Sequence, residues 1–190
     1  MKLIKKIVVV LLVLAALVYF VAIPYVHRET KKFSPYKTSV LELDNTVLKI
    51  DYSSPSKKGR KIFGELVPYG NVWRTGANEP TTITVSKPIK IIDKPLPAGT
   101  YSLWSIPNKK SWKIMFNTQI PDWGVTRING NQTTHDSNYD LITVEVPVID
   151  LQNPVEDFTI TFEEQTLQQK SQNVISLAWD TTKIMVPVYK

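Results

Sequence analysis

An uninterrupted apolar segment near the start of the sequence constrains this chain more than any other feature. Residues 7–26 include no charged side chain. A helix of this length extends for roughly 30 Å, which matches the hydrocarbon thickness of a bilayer. A cleaved signal peptide usually has a shorter apolar region followed by a small-x-small cleavage site, and Val21–Tyr25 lacks that pattern. We therefore expect residues 1–27 to form an uncleaved transmembrane anchor.

Basic residues on both sides of the apolar segment bear on its orientation. They are Lys2, Lys5 and Lys6 before it and Arg28, Lys31 and Lys32 after it. A short N-terminal tail with several lysines normally stays on the cytoplasmic side. We therefore predict a single-pass protein of the inner (cytoplasmic) membrane, with its N-terminus inside and the rest of the chain facing the periplasm.

The net charge of +6 comes almost entirely from this region. The six basic residues are accompanied by a single acid, Glu29, which leaves 17 basic and 16 acidic residues in the rest of the chain. A nucleic-acid-binding domain concentrates positive charge on its folded part. The charge distribution therefore argues against a nucleic-acid partner. The sequence also contains no cysteine, which excludes disulfides, thiolate nucleophiles and cysteine metal ligands.

The hydrophobic pattern changes to a period of two after a charged stretch, residues 28–38, which we interpret as a tether. Alternation of this kind is typical of half-buried strands. Its clearest apolar positions are Leu48, Ile50 and Tyr52; Trp112, Ile114 and Phe116; Phe158, Ile160 and Phe162; Ile175, Leu177 and Trp179; and Ile184, Val186 and Val188. Asp44-Asn45 indicates a tight hairpin between the first two strands. About ten short strands predict an all-β domain over residues 39–190, an antiparallel β-sandwich or jelly-roll-like fold.

Four segments of the β region are distinctive. They are Gly59–Val67 (GRKIFGELV), Pro68–Thr82 (PYGNVWRTGANEPTT), Leu96–Pro107 (LPAGTYSLWSIP) and Leu177–Val188 (LAWDTTKIMVPV). Through them, residues 45–190 resemble a bacterial family, domain of unknown function 2911, and Trp73–Glu79 is the most specific match. The resemblance implies an exported, envelope-associated β domain, and it implies no activity.

The segment 59–82 is the main candidate for a functional site. It holds four of the seven glycines and shows no strand alternation before Thr81. Long irregular segments in a compact domain are often functional. Aromatic rings there would supply flat apolar contact, while Arg, Asn and Glu would supply directional hydrogen bonds to a ligand. The candidate ligand-binding residues are Arg60, Tyr69, Trp73, Arg74, Asn78 and Glu79.

The same segment also has a purely structural interpretation. Arg74 and Glu79 would pair across a bend, and Gly76 and Asn78 would hold that bend through left-handed backbone geometry. Trp73 would then close one end of the sandwich.

Three functions remain open from the sequence. The first is a non-catalytic protein-binding domain or accessory subunit of the bacterial cell envelope, held in the membrane by residues 7–26 and bound to an envelope protein. The second is a small-molecule or glycan-binding module that uses the 59–82 loop. The third is a hydrolase with Glu79 as acid or base, which requires a second carboxylate or His135 within reach. The lack of a recognisable catalytic set favours a non-catalytic role. His27 and His135 have no second ligand at metal spacing, so we predict neither a metal site nor a cofactor.

Overall fold

The computed structural model of this chain describes residues 2–126, 132–167 and 170–190. It divides into two compact units, Met1–Phe33 and Ser34–Lys190. Each unit has its own secondary structure, and each is described by itself below.

The first unit is a single long helix. It consists of α1 (Lys2–Leu17) and α2 (Ile23–Lys32), joined by a π-helical turn at Val18–Ala22. The stretch Leu3–Lys32 has 30 residues and contains an 18-residue window with a mean hydropathy of 3.0, so it is long and apolar enough to cross a membrane. An N-terminal export signal has the same general character. The helix is therefore a candidate membrane segment by length and composition.

The predicted tether corresponds to the junction between the two units. Residues 28–32 continue the helix, and residues 36–38 already belong to the first strand. Three residues, 33–35, lie between these two elements.

The second unit is built from antiparallel strands. In the described part of the chain they are β1 (Tyr36–Leu43), β2 (Thr46–Ser53), β3 (Thr81–Val85), β4 (Ile89–Ile91), β5 (Lys94–Leu96), β6 (Gly99–Pro107), β7 (Ser111–Asn117), β8 (Val125–Thr126), β9 (Gln132–Thr133), β10 (Asp140–Leu167) and β11 (Lys170–Tyr189). A short 3₁₀ turn, Ser137–Tyr139, precedes β10. The predicted all-β fold is confirmed.

Nine of these strands form one large, open sheet in the order β1-β2-β3-β6-β7-β10-β11-β4-β5, and β8 pairs with β9. The hairpin predicted at Asp44-Asn45 is present, because Leu43 pairs with Thr46 across this two-residue loop. The strand β10 pairs with β7 near its start and with β11 from Val148 onwards. It therefore connects the two halves of the sheet.

The inward positions of both halves pack into one hydrophobic core. Each of the alternating runs predicted from the sequence contributes to it, and Phe158 and Ile184 are fully shielded from solvent. The rings of Tyr52 in β2 and Phe158 in β10 meet edge to face, with their centroids 5.9 Å apart. Because β2 and β10 are not neighbours in the strand order, the sheet must curve so that distant strands share this core.

Candidate functional site

Trp73 is held against β6 by a short ladder of backbone hydrogen bonds. The Trp73 amide donates to the Ser105 carbonyl at 2.7 Å, and the Ser105 amide donates to the Trp73 carbonyl at 2.9 Å. The indole packs in the core, stacked on Trp179 with ring centroids 6.0 Å apart. It also meets Trp112, Phe63 and Phe158 at angles of 64° to 81°. The irregular segment is therefore fixed to the sheet at this position.

The chain turns tightly after Trp73, and buried hydrogen bonds hold the turn. Trp73 Nε1 donates to the Gly76 carbonyl at 3.1 Å. Thr75 Oγ1 donates to Ser105 Oγ at 2.9 Å, and Thr81 Oγ1 donates to the Thr75 carbonyl at 2.6 Å. Thr75 and Asn78 adopt positive φ angles of 55° and 60°. A conformation that is uncommon for side-chain-bearing residues is thus maintained by specific bonds within the turn.

Arg74 follows Trp73 and approaches Gly124, a residue fifty positions further along the chain. A Cβ atom on Gly124 would lie 2.3 Å from Arg74 Cδ and 2.9 Å from Arg74 Cβ. The same atom would lie 3.0 Å from the Asn78 carbonyl oxygen, to which the Gly124 amide donates at 2.9 Å. Only a residue without a side chain allows this close approach.

The guanidinium of Arg74 lacks an acidic partner in the described part of the chain. The Arg74–Glu79 ion pair, which the structural interpretation requires, is not formed among these residues. Arg74 Nε is shielded from solvent without a hydrogen-bond partner, as is Asn78 Nδ2. Burial lowers the pKa of Arg74, because loss of hydration disfavours the charged form. Arg74 is therefore a partly buried cation with no acidic partner in the described ranges.

Arg74 lines a cavity of about 210 Å³ at the surface of the β domain. The other described residues around it are Leu66, Val67, Pro68, Asn71, Val72, Trp73 and Thr133. All but Thr133 come from the segment 59–82. The predicted functional segment therefore forms most of a concave site, and one wall comes from a different part of the sequence.

That other wall belongs to the covering segment, which we define as described residues 118–126 and 132–139. Side chains of the sheet fasten it. Asn117 Nδ2 donates to the Asp136 carbonyl and to Asp140 Oδ1, both at 2.8 Å. His135 Nε2 lies 2.9 Å from Asp140 Oδ1, and the His135 ring lies beside Trp104 with centroids 5.4 Å apart. This network, which the sequence did not predict, holds the covering segment beside the cavity.

Comparison with known families identifies what kind of domain carries this cavity. A family model described as "Protein of unknown function (DUF2911)" matches residues 34–188. The chain belongs to this family. The match spans every strand of the sheet and leaves the helix outside it. No curated protein and no solved structure matches the chain significantly.

The six candidate residues of the DUF2911 domain do not converge on one site. Trp73 and Arg74 line the cavity, whereas Asn78 is buried beside Gly124. Arg60 is exposed, and its guanidinium donates to the backbone carbonyls of two nearby residues, Ser56 at 2.6 Å and Lys57 at 2.9 Å.

Tyr69 lies outside the cavity lining, and its ring packs on Gly64, where a Cβ atom would lie 2.7 Å from Tyr69 Cε2. Despite this close contact, Tyr69 is 37% exposed at the surface. It is therefore accessible for contact with a ligand, although the described lining of the cavity does not include it.

Glu79 is close enough to Tyr36 in β1 for its charge to affect the pKa of that tyrosine. Partial desolvation raises the pKa of Tyr36, and the negative charges of Asp51 and, less strongly, Glu79 raise it further. His135 contacts Asp140, as described above. Neither Glu79 nor His135 is among the described residues that line the Arg74 cavity. This cavity therefore adds no support to the hydrolase hypothesis.

Two larger grooves on the domain have polar groups that are already engaged. One, of about 360 Å³, is lined by Lys94 among others, and Lys94 Nζ donates to the Thr143 carbonyl at 2.6 Å. The other, of about 310 Å³, includes Asp44 and Lys190, which form an ion pair. The cavity at Arg74 differs from both, because Arg74 is partly buried and its Nε atom is shielded from solvent without a hydrogen-bond partner, whereas the charged residues of the two grooves are exposed.

Proposed function

We propose that this DUF2911 protein is a membrane-tethered, non-catalytic binding domain for a small anionic ligand, with Arg74 as the recognition residue. The observation that carries this proposal is the partly buried side chain of Arg74, which lines a cavity and has no acidic partner among the described residues. An unpaired buried charge destabilises the folded state. A ligand carboxylate or phosphate would relieve that cost, because guanidinium binds such groups through paired, charge-assisted hydrogen bonds.

The proposal places the binding domain outside the cytoplasm. Residues 7–26 lie in the inner membrane, and the lysines that precede them keep the N-terminus inside. The β domain then faces the periplasm and binds its ligand there. The length and hydropathy of the helix support this arrangement.

Replacement of Arg74 by methionine is the direct test of the binding proposal. Without ligand, we expect the free energy of unfolding to stay unchanged or to rise by about 1 kcal/mol, because a desolvated charge is removed and the apolar stem is kept. At a ligand concentration of about one hundred times Kd, binding should raise the free energy of unfolding of the wild type by about 2.7 kcal/mol. The variant should show no such increase. The measurement is chemical denaturation of the full chain in detergent, with a panel of carboxylates and phosphates at constant ionic strength.

Arg60→Met provides the matched control, because Arg60 is an exposed arginine of the same segment outside the cavity lining. This variant should keep every anion effect that the wild type shows. If Arg74→Met instead destabilises the ligand-free protein by more than about 2 kcal/mol and changes no anion response, Arg74 has a structural role and the proposal is wrong.

A protein partner in the envelope is the second candidate function, and the edge strand β1 favours it. This strand ends the sheet, with β2 as its single neighbour in the order of described strands. Its exposed positions include Tyr36 (62% exposed) and Val40 (53% exposed). An exposed edge strand can pair with another chain.

Site-directed photocrosslinking in intact membranes distinguishes this second candidate. A crosslinker at Val40 should give one discrete product at near-stoichiometric yield, while a crosslinker at Glu145, an exposed residue of β10, should give none. Equal, diffuse labelling at both positions would count against an accessory-subunit role for this edge.

A further inference from the structure

The charge of the Arg74 cavity limits the ligands that fit it. Among the described residues that line the cavity, Arg74 is the only charged one. The polar groups next to it are the side chains of Asn71 and Thr133, which are neutral. A single guanidinium balances one negative charge, whereas a phosphate dianion requires further cations or several backbone amides. The described lining is therefore matched in charge to a monoanion.

The remaining lining of the cavity is aliphatic. Leu66, Val67, Pro68 and Val72 contribute to it beside the guanidinium. Leu66 is 46% exposed, so covering its side chain with an apolar group would remove substantial hydrocarbon surface from water. The cavity volume of about 210 Å³ is smaller than the range of roughly 300 to 1,000 Å³ that is usual for drug-sized ligands. The apolar part of a fitting ligand must therefore be short and compact.

Trp73 and Trp104 are not arranged for sugar stacking. Trp73 is 8% exposed, and its ring stacks on Trp179 and meets the edges of other core rings. Trp104, from the other distinctive segment, is completely buried. A flat aromatic surface open to a sugar ring is therefore not provided by either tryptophan.

We infer that the cavity binds a monocarboxylate with a short, branched or compact apolar tail, the carboxylate on Arg74 and the tail on the aliphatic wall. This inference rests on the proposed function, because it names the ligand class of the same site. Guanidinium and carboxylate match in geometry and charge. The aliphatic residues add affinity for each tail carbon that they cover. A sugar acid or inorganic phosphate uses only the charged half of the site.

Isothermal titration of the full-length protein in detergent tests the inference with five probes. They are 3-methylbutanoate, 3-methylbutanamide, acetate, D-glucuronate and inorganic phosphate. The acid and its amide have nearly the same shape, so their affinity ratio isolates the contribution of the carboxylate. We expect 3-methylbutanoate to bind at least about tenfold more tightly than its amide. We also expect an advantage over acetate of roughly fourfold for each added carbon.

Variants at Arg74 test whether this residue causes the preference for acid over amide. A purely structural effect of the substitution would not change the ratio of the two affinities. Arg74→Met should abolish the preference for acid over amide. Because partition of the probes into detergent is the same for the wild type and the variant, it cannot cause this difference. Arg74→Lys keeps the charge without the guanidinium fork and should retain a reduced preference. If Arg74→Met does not fold, the reduced preference of Arg74→Lys still tests the role of the guanidinium.

The possible outcomes separate this inference from the function on which it rests. If phosphate or glucuronate binds most tightly and the binding depends on Arg74, the monocarboxylate inference is wrong and the anion-binding function stands. If acetate equals 3-methylbutanoate, the aliphatic wall has no role in recognition and the inference is again wrong. If no probe binds in an Arg74-dependent manner, both proposals fail.

Discussion

Replacement of Trp73 by alanine is expected to lower the free energy of unfolding of the β domain by about 4 kcal/mol. The indole is 8% exposed and stacks on Trp179 with a centroid separation of 6.0 Å. Its nearest ring is that of Phe158, at 5.1 Å. Alanine would leave a large cavity among rings that cannot close it, because each of them is held by its own strand. The loss would be a large fraction of the total stability of a typical domain.

Trp73 also contributes to stability through the turn that follows it. The hydrogen bond from Trp73 Nε1 to the Gly76 carbonyl would be lost, which leaves a buried acceptor without its donor. The variant should therefore loosen the turn that carries Arg74 as well as the core. Trp73→Phe, which keeps an aromatic ring and loses only the donor and part of the volume, should fall between the wild type and alanine.

Tryptophan fluorescence during chemical denaturation of the full chain in detergent measures this effect. All five tryptophans lie beyond residue 33, so the signal reports on the β domain and not on the helix. Tyr139→Ala removes an aromatic side chain that is 47% exposed, and it should change the free energy by no more than about 0.5 kcal/mol. A loss below about 1.5 kcal/mol for Trp73→Ala would show that the ring cluster adapts to the missing side chain.

The alternation of hydrophobic residues allowed the core to be predicted well. Trp112, Ile114 and Phe116 are predicted to share one face of a strand, and all three are buried in the single core. The period of two is a local property of an extended chain, so it can be read without knowledge of the strand partners. The order of the strands in the sheet depends on long-range pairing and could not be obtained in this way.

Two strands, β10 and β11, extend beyond the alternating runs that indicated them, because the local alternation is interrupted. Residues 150–157 contain polar residues and a proline, and they resemble a loop between strands. In the structure β10 continues through them, with register shifts between Asp150 and Val155 and between Val155 and Thr159. Asp180 lies between the predicted runs that end at Trp179 and begin at Ile184, and the structure places it within β11 with a positive φ of 53°. Irregular strands of this kind break the sequence alternation without ending the strand.

The candidate site was only partly predictable for a related reason. Arg74 was identified from the polar and aromatic content of its segment, and the structure places it on a cavity. Gly124 and Thr133 have no local pattern that connects them with residue 74. Their contact follows from the covering segment, which is fixed by Asn117, His135 and Asp140. Tertiary contacts between distant loops carry no periodic signal in one sequence.

Replacement of Gly76 by alanine is the second change for which we expect a large effect, a loss of about 3 kcal/mol in the free energy of unfolding. Gly76 has a φ of +148°, a region that residues with a side chain rarely adopt. An added Cβ would lie 2.9 Å from the Ser53 carbonyl oxygen and 3.3 Å from Thr81 Oγ1. Backbone strain contributes roughly 1–2 kcal/mol and overpacking roughly 1–3 kcal/mol.

Gly59→Ala is the control for this variant, because it introduces the same methyl group at a positive φ without the close contacts. Gly59 also has a positive φ, of +70°, and its added Cβ would have no heavy atom within 4 Å. We expect this control to lose only about 1 kcal/mol by the same fluorescence measurement. The excess loss in Gly76→Ala then reports the contact with the Ser53 carbonyl at the end of β2 together with the greater backbone strain at a φ of +148°. Equal losses in the two variants would mean that this carbonyl moves aside freely. The turn that presents Arg74 would then be less rigid than its hydrogen bonds indicate.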